Sequence, residues 1–147
     1  MFWKEEEKQE ITKICKDRFR RRKTVSKVFG YPKFDEYGEM ILTTYDNDYK
    51  AMMMDIRVYS MKAGYSRTFK RDGEEIAVLL LSGKITYTWE DEKATVSRKD
   101  VFTEGPWALH VSGGKEIIVT AEEESEILVQ CTHNDKTFAS RLYSPDD

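Results

Sequence analysis

Residues 100–121 read D-V-F-T-E-G-P-W-A-L-H-V-S-G-G-K-E-I-I-V-T-A, and their order decides the fold. A Gly105-Pro106 break precedes a short aromatic strand; a Gly113-Gly114 turn follows it, and a second, more hydrophobic strand closes the stretch. Proline removes a backbone donor and glycine frees φ, so both fall where a small antiparallel barrel must turn a tight corner.

Outward from that corner the pattern repeats. Downstream, an acidic turn at residues 122–125 leads into Glu126-Ile127-Leu128-Val129-Gln130-Cys131. Upstream, residues 75–81 form a near-continuous apolar strand, which Ser82-Gly83-Lys84 is expected to turn into Ile85-Thr86-Tyr87-Thr88-Trp89. Residues 90–93 make a charged turn before the strand at 94–97. Residues 51–61 alternate, with Met52, Met54, Ile56 and Val58 on one side and Asp55, Arg57 and Tyr59 on the other. A hairpin or turn is expected around Gly38, and Ala63-Gly64 and residues 70–73 mark loops. Short strands at this spacing, with no second helical pattern, predict an all-β sandwich or barrel.

The first thirty residues differ. Ile11, Ile14, Cys15 and Phe19 recur at helical spacing between an acid-rich start and a basic end, an order that suits the helix dipole. This predicts an amphipathic helix over about residues 4–28, ended by Gly30 and Pro32. The domain organisation is therefore an N-terminal helix over 1–30 and a barrel over 31–147. The basic run Arg18-Phe19-Arg20-Arg21-Arg22-Lys23 reads as a solvated helix end.

At 147 residues with 39% hydrophobic content, the chain can bury one real core. A net charge of −3 argues against a dedicated nucleic-acid binder. The longest apolar runs, such as residues 76–81, are far too short to span a bilayer. The charged N-terminus does not read as a secretory signal. Cys15 and Cys131 form no C-x-x-C pair, so a reduced cytoplasmic protein is expected.

Two segments resemble the motifs of the cupin superfamily. Met61-Lys62-Ala63-Gly64 through residues 75–84 resembles the first motif, in which two histidines and a glutamate precede a turning glycine. Gly105-Pro106 through Ser112-Gly113-Gly114 into Ile117 resembles the second. More closely, Leu79-Leu80-Leu81-Ser82-Gly83-Lys84, Asp100-Val101-Phe102, residues 106–111 and 116–121, and the closing Arg141-Leu142-Tyr143-Ser144-Pro145-Asp146-Asp147 are similar to the N-terminal half of the 5-deoxy-glucuronate isomerase family of myo-inositol catabolism, itself related to uronate ketol-isomerase. The resemblance implies a cupin-type (jelly-roll) antiparallel β-barrel in a half-length, single-barrel member. It implies one of two functions: a deoxy-uronate isomerase of carbohydrate or inositol catabolism, or a non-catalytic sugar-acid-binding or regulatory barrel.

The resemblance also bears on cofactors. In the family the metal ligands belong to the C-terminal barrel. Here the first-motif region around Ser66, Arg67, Thr68 and Lys70 has no histidine, and the second-motif histidine position falls on or near Ile117. An apolar side chain cannot ligate a metal. Only Glu75 matches a ligand position, so neither a metal nor another cofactor is expected. A small sugar acid is the expected ligand and a homodimer the expected assembly, by pairing of lone barrels.

An aldose–ketose isomerase needs a base and a cationic or metal clamp. Glu75 and His110 are the catalytic candidates, His110 because an imidazole titrates near neutral pH. Arg57, Tyr87 and Trp107 are the substrate-binding candidates, as a clamp and as stacking surfaces, with Glu104 and Trp89 as further members of these sets. The competing assignments are a wall or surface histidine at His110, core packing for the strand aromatics, and an adaptable core or interface for Met52-Met53-Met54. His133 is expected to be exposed in a polar turn, and with Cys131 it completes no metal site.

Overall fold

The structure, a computed structural model, describes residues 32–147. The predicted helix over 4–28, the basic run and Cys15 lie outside the described residues. Nine strands occur among those described: β1 (Glu39–Thr43), β2 (Asp55–Met61), β3 (Ser66–Lys70), β4 (Glu74–Trp89), β5 (Glu92–Arg98), β6 (Trp107–Val111), β7 (Glu116–Ala121), β8 (Ser125–His133) and β9 (Arg141–Tyr143). Every pairing is antiparallel. The order β1-β2-β8-β4-β6-β9 makes one layer. Pairing of β3 with β7, β7 with β4 and β4 with β5 makes the other.

The strand shared by both layers is the main departure from expectation. Residues 82–84 do not turn the chain. Residues 74–89 are one long strand whose register shifts between Leu80 and Ser82. Before the shift the even-numbered Ile76, Val78 and Leu80 are fully buried; after it the odd-numbered Ile85 and Tyr87 are. An irregularity that changes strand phase lets one strand keep its apolar side inward while passing from one layer to the other. Gly83 makes this possible. Its φ is +99°, and a Cβ there would sit 2.3 Å from Ser125 Oγ and 2.6 Å from the Glu124 carbonyl.

The corner read from residues 100–121 is present. Pro106 leads into β6, and the Gly113-Gly114 turn joins β6 to β7. Leu109, Val111, Ile117 and Val119 are fully buried in the core between the layers. Strand alternation there is clean because one face of each layer meets the other layer.

One other expectation needs correction. Residues 51–61 are not one strand: Lys50–Met52 form a short 3-10 turn and β2 begins at Asp55. Met52 and Met53 are exposed rather than core. Around Gly38 the expected hairpin or turn is a turn, since no strand precedes β1 among the described residues.

A charged cluster at the open seam of the barrel

Along β2 the inward side is the polar one. Tyr59 and Met61 belong to the core, and Asp55 and Arg57 share their side of the strand two and four residues earlier. A charge pair directed inward is tolerable only if it is paired and hydrogen-bonded, and here it is. Arg57 donates from Nε to Asp55 Oδ1 at 2.7 Å and from Nη2 to Asp55 Oδ2 at 2.9 Å. Its Nη1 donates to Glu39 Oε1 at 2.7 Å, and the Tyr59 hydroxyl donates to the same oxygen at 3.0 Å. The hydrogen bond to Asp55, followed by that to Glu39, holds the Arg57 guanidinium charged well beyond its ordinary range against the opposing effect of burial. Burial first, and then the Glu39 hydrogen bond, push the Tyr59 hydroxyl up to about 12.

β3, on the far edge of the other layer, faces this cluster. Arg67 lies over the Tyr59 ring, with its guanidinium carbon 4.5 Å from the centroid, and Phe69 meets the same ring at 5.4 Å. Arg67 Nη2 also donates to the Tyr37 carbonyl. Arg71, just after β3, approaches Asp55 Oδ2 at 3.5 Å and Glu74 Oε2 at 3.8 Å. Glu74 accepts from the Tyr45 hydroxyl at 2.5 Å, and Tyr45 stacks on His133 at 4.4 Å. Burial and the Glu74 hydrogen bond raise the Tyr45 hydroxyl, so it stays protonated at neutral pH.

These side chains border a cavity of about 470 Å³ lined by Glu39, Tyr59, Phe69, Arg67, Lys70 and Arg71, with Thr68 beside them. Three cations against one carboxylate give its lining a net positive charge. The arginines differ in how fully they are paired. Arg57 is saturated by two carboxylates, whereas Arg71 is 42% exposed and makes only long contacts. A planar guanidinium with free donors is suited to bidentate capture of a carboxylate.

The sequence-derived candidates scatter. Only Arg57 belongs to this cluster. Glu75 and His110 come together, but on the opposite, outer side of their strands, since Leu109 and Val111 take the inward positions. His110 Nε2 is 3.7 Å from Glu75 Oε1 and its ring meets Phe138 at 4.7 Å, while Glu75 Oε2 accepts from Asn134 at 2.6 Å. His110 therefore does not line the barrel interior. Tyr87 is fully buried and donates to the Val78 carbonyl at 3.0 Å, so it packs the core rather than offering a stacking face. Trp107 packs against that core, Trp89 is buried within it, and Glu104 accepts from the Lys99 amide at 2.8 Å in the loop before β6. Tyr45, Glu39, Asp55, Arg71 and Glu74 are not among those candidates. The available signal was Asp55-x-Arg57-x-Tyr59-x-Met61, a polar pair in phase with apolar residues.

The interior donor set bears on whether its residues fit a metal. Among the described residues no three His, Cys, Asp or Glu side chains converge as a ligand set. The inward carboxylates Asp55 and Glu39 are held by a guanidinium, and Glu74 by the Tyr45 hydroxyl. That donor chemistry does not fit a cupin-type metal. Burial likewise pushes the Cys131 thiol up to about 11, away from the thiolate a metal would need. No helix among the described residues is long and apolar enough to cross a membrane.

Comparison with known proteins agrees with the fold. An IolB-like protein from Salmonella typhimurium LT2 superposes with a TM-score of 0.68 at 21% identity, covering 80% of this chain and 46% of that one. A cupin superfamily protein from Desulfitobacterium hafniense gives 0.50 at 20% identity, over 72% of this chain and 84% of that one. KdgF from Halomonas sp. gives 0.51 at 12% identity, over 71% and 89% respectively. The architecture is thus that of a cupin barrel, and the chain spans about half the length of the IolB-like protein. A search of curated proteins finds no match. Residues 30–147 match the family model described as KduI/IolB, and the chain belongs to the KduI/IolB family.

Proposed function

We propose that this chain is a sugar-acid-binding cupin of carbohydrate catabolism that takes its ligand's carboxylate at the seam, on Arg71 and Arg67, without a barrel-centre metal. The observation carrying this is Arg71: a half-exposed guanidinium with contacts no shorter than 3.5 Å, on a cavity shared with Arg67 and Lys70. Membership of the KduI/IolB family supports a sugar acid as the ligand class.

One feature favours a second reading, a deoxy-uronate isomerase. The Tyr45–Glu74 pair, 2.5 Å apart and beside Arg71, has the parts of an acid–base couple. Glu74 would take the proton from the hydroxyl-bearing carbon next to the carbonyl and return it to the former carbonyl carbon, while the Tyr45 hydroxyl gives its proton to the carbonyl oxygen and regains one from the adjacent hydroxyl, with Arg71 polarising the carbonyl oxygen. Glu75 and His110, on the outer side, take no part.

Titration calorimetry with D-glucuronate in the presence of a chelator tests the first reading. Wild type should bind glucuronate in preference to glucose, and Arg71→Ala should weaken binding at least tenfold, the loss of about one charge-assisted interaction. Unchanged binding by Arg71→Ala overturns it. Running the same mixtures in deuterium oxide separates the two readings: deuterium entering the sugar in wild type but not in Glu74→Gln supports the isomerase.

A further inference from the structure

A second groove, of about 820 Å³, adjoins the seam cavity and shares Glu39 and Arg67 with it. Its walls differ in kind. Tyr37 and Tyr65 stand 73% and 64% exposed on it, with Phe34 at 40%. Large aromatics left this exposed in a groove mark a contact surface more often than chance.

Both tyrosines are held ready rather than loosely displayed. The Tyr37 turn is fixed by Asp35 Oδ1, which accepts from the Tyr37 amide at 2.9 Å and the Glu39 amide at 2.8 Å. The Ser60 amide donates to the Gly38 carbonyl at 2.8 Å, and a Cβ at Gly38 would strike the Ser60 carbonyl, so that turn lies flat against β2. Across the groove, Gly64 donates to the Ala121 carbonyl at 2.7 Å and the Ala121 amide donates to the Tyr65 carbonyl at 2.9 Å. Rings pre-positioned in this way bind without losing further backbone freedom.

Charge then selects what they hold. The groove carries Asp35, Glu36, Glu39 and Glu124 against Lys62 and Arg67, an acidic excess, whereas the seam cavity carries Arg67, Lys70 and Arg71 against Glu39. A second carboxylate would be repelled from the groove, while a neutral pyranose can lay its C–H face on a tyrosine ring and offer hydroxyls to the carboxylates. We propose that the groove is a subsite for a neutral sugar unit joined to the acid held in the seam, so that the preferred ligand is a uronic acid linked to a neutral hexose rather than a free sugar acid. The subsite rests on the seam reading for the position of the acid.

The test compares three probes by titration calorimetry: D-glucuronate, a glucuronosyl-(1→4)-glucose disaccharide and digalacturonate. The mixed disaccharide should bind about tenfold tighter than glucuronate, the gain expected of one aromatic stacking contact. Tyr65→Ala should erase most of that gain while leaving glucuronate affinity unchanged, and Tyr37→Ala should also reduce the gain. Circular dichroism verifies that both variants fold. A mixed disaccharide no tighter than glucuronate, or a gain that survives both substitutions, overturns the subsite while leaving the seam reading intact. An equal gain for digalacturonate overturns its preference for a neutral unit. If none of the three probes binds, the seam reading falls and the subsite with it.

Discussion

Removing Asp55 should cost the barrel about 3–4 kcal/mol. Asp55 is 5% exposed and accepts two charge-assisted hydrogen bonds from Arg57, at 2.7 and 2.9 Å, with Arg71 a further 3.5 Å away. Each such bond contributes about 1.5–3 kcal/mol when shielded. The Arg57 side chain is 25% exposed and keeps Glu39 as a partner after the loss, which places Asp55→Ala towards the lower part of the combined range. Arg57→Ala should cost more, about 3–5 kcal/mol, because it leaves the Asp55 carboxylate in the interior with Arg71 as the remaining cation nearby. The double variant should lose less than the sum, with a coupling of about 2–3 kcal/mol. Urea denaturation of the four proteins, followed by tryptophan fluorescence, reads all four corners of the cycle. A coupling below about 0.5 kcal/mol would show instead that the pair is solvated and that Arg57 is as free as Arg71 to meet a ligand.

Two further outcomes follow from the same geometry. Gly83→Ala should destabilise by about 3–5 kcal/mol, combining a positive φ with an overlap that neither the Glu124 carbonyl nor Ser125 can easily yield, whereas Gly64→Ala, with positive φ but open space, should lose about 1–2 kcal/mol; equal losses in urea melts would show that the phase change of β4 does not depend on close approach at Gly83. Stability should fall on the alkaline side: burial raises Cys131 from its ordinary 9.0 to about 11 and Tyr59 from 10.0 to about 12, so the unfolded chain releases these protons first, and stability that is intact below pH 9 is lost as pH rises through 11 and 12. Urea midpoints at pH 8 and pH 10.5 measure the decline, Cys131→Ala should flatten it, and a midpoint that holds or rises would contradict it.

Much of the fold was legible in residue order, because it depends on local chemistry. Pro106, the Gly113-Gly114 turn and the alternation through Leu109, Val111, Ile117 and Val119 specify strands and corners without reference to distant residues. Ser82-Gly83-Lys84 is ambiguous in residue order for a physical reason. A glycine with positive φ serves a turn or an irregularity within a strand equally well, and only pairing with Glu126 and Ser125 on β8 decides which.

The candidate site was less legible. Alternation along 51–61 separates two faces of β2 but does not say which is inward. Asp55 and Arg57 are acceptable inside because Glu39 on β1 and Arg71 after β3 approach across the seam from elsewhere in the chain. His110, which attracts attention by residue type, is carried outward by the phase that buries Leu109 and Val111.

Residue order alone carries an antiparallel all-β architecture, its principal corner and the lack of histidine over residues 66–70 and at 117, since these follow from backbone chemistry and side-chain identity. That 74–89 is one strand serving two layers, and that the charges gather at the seam between β2 and β3, emerges with the packed fold. The physical reason is that electrostatic pairing and barrel closure act through space. Residues as far apart as Glu39 and Arg57, or Tyr45 and Glu74, acquire their roles only once the layers have packed.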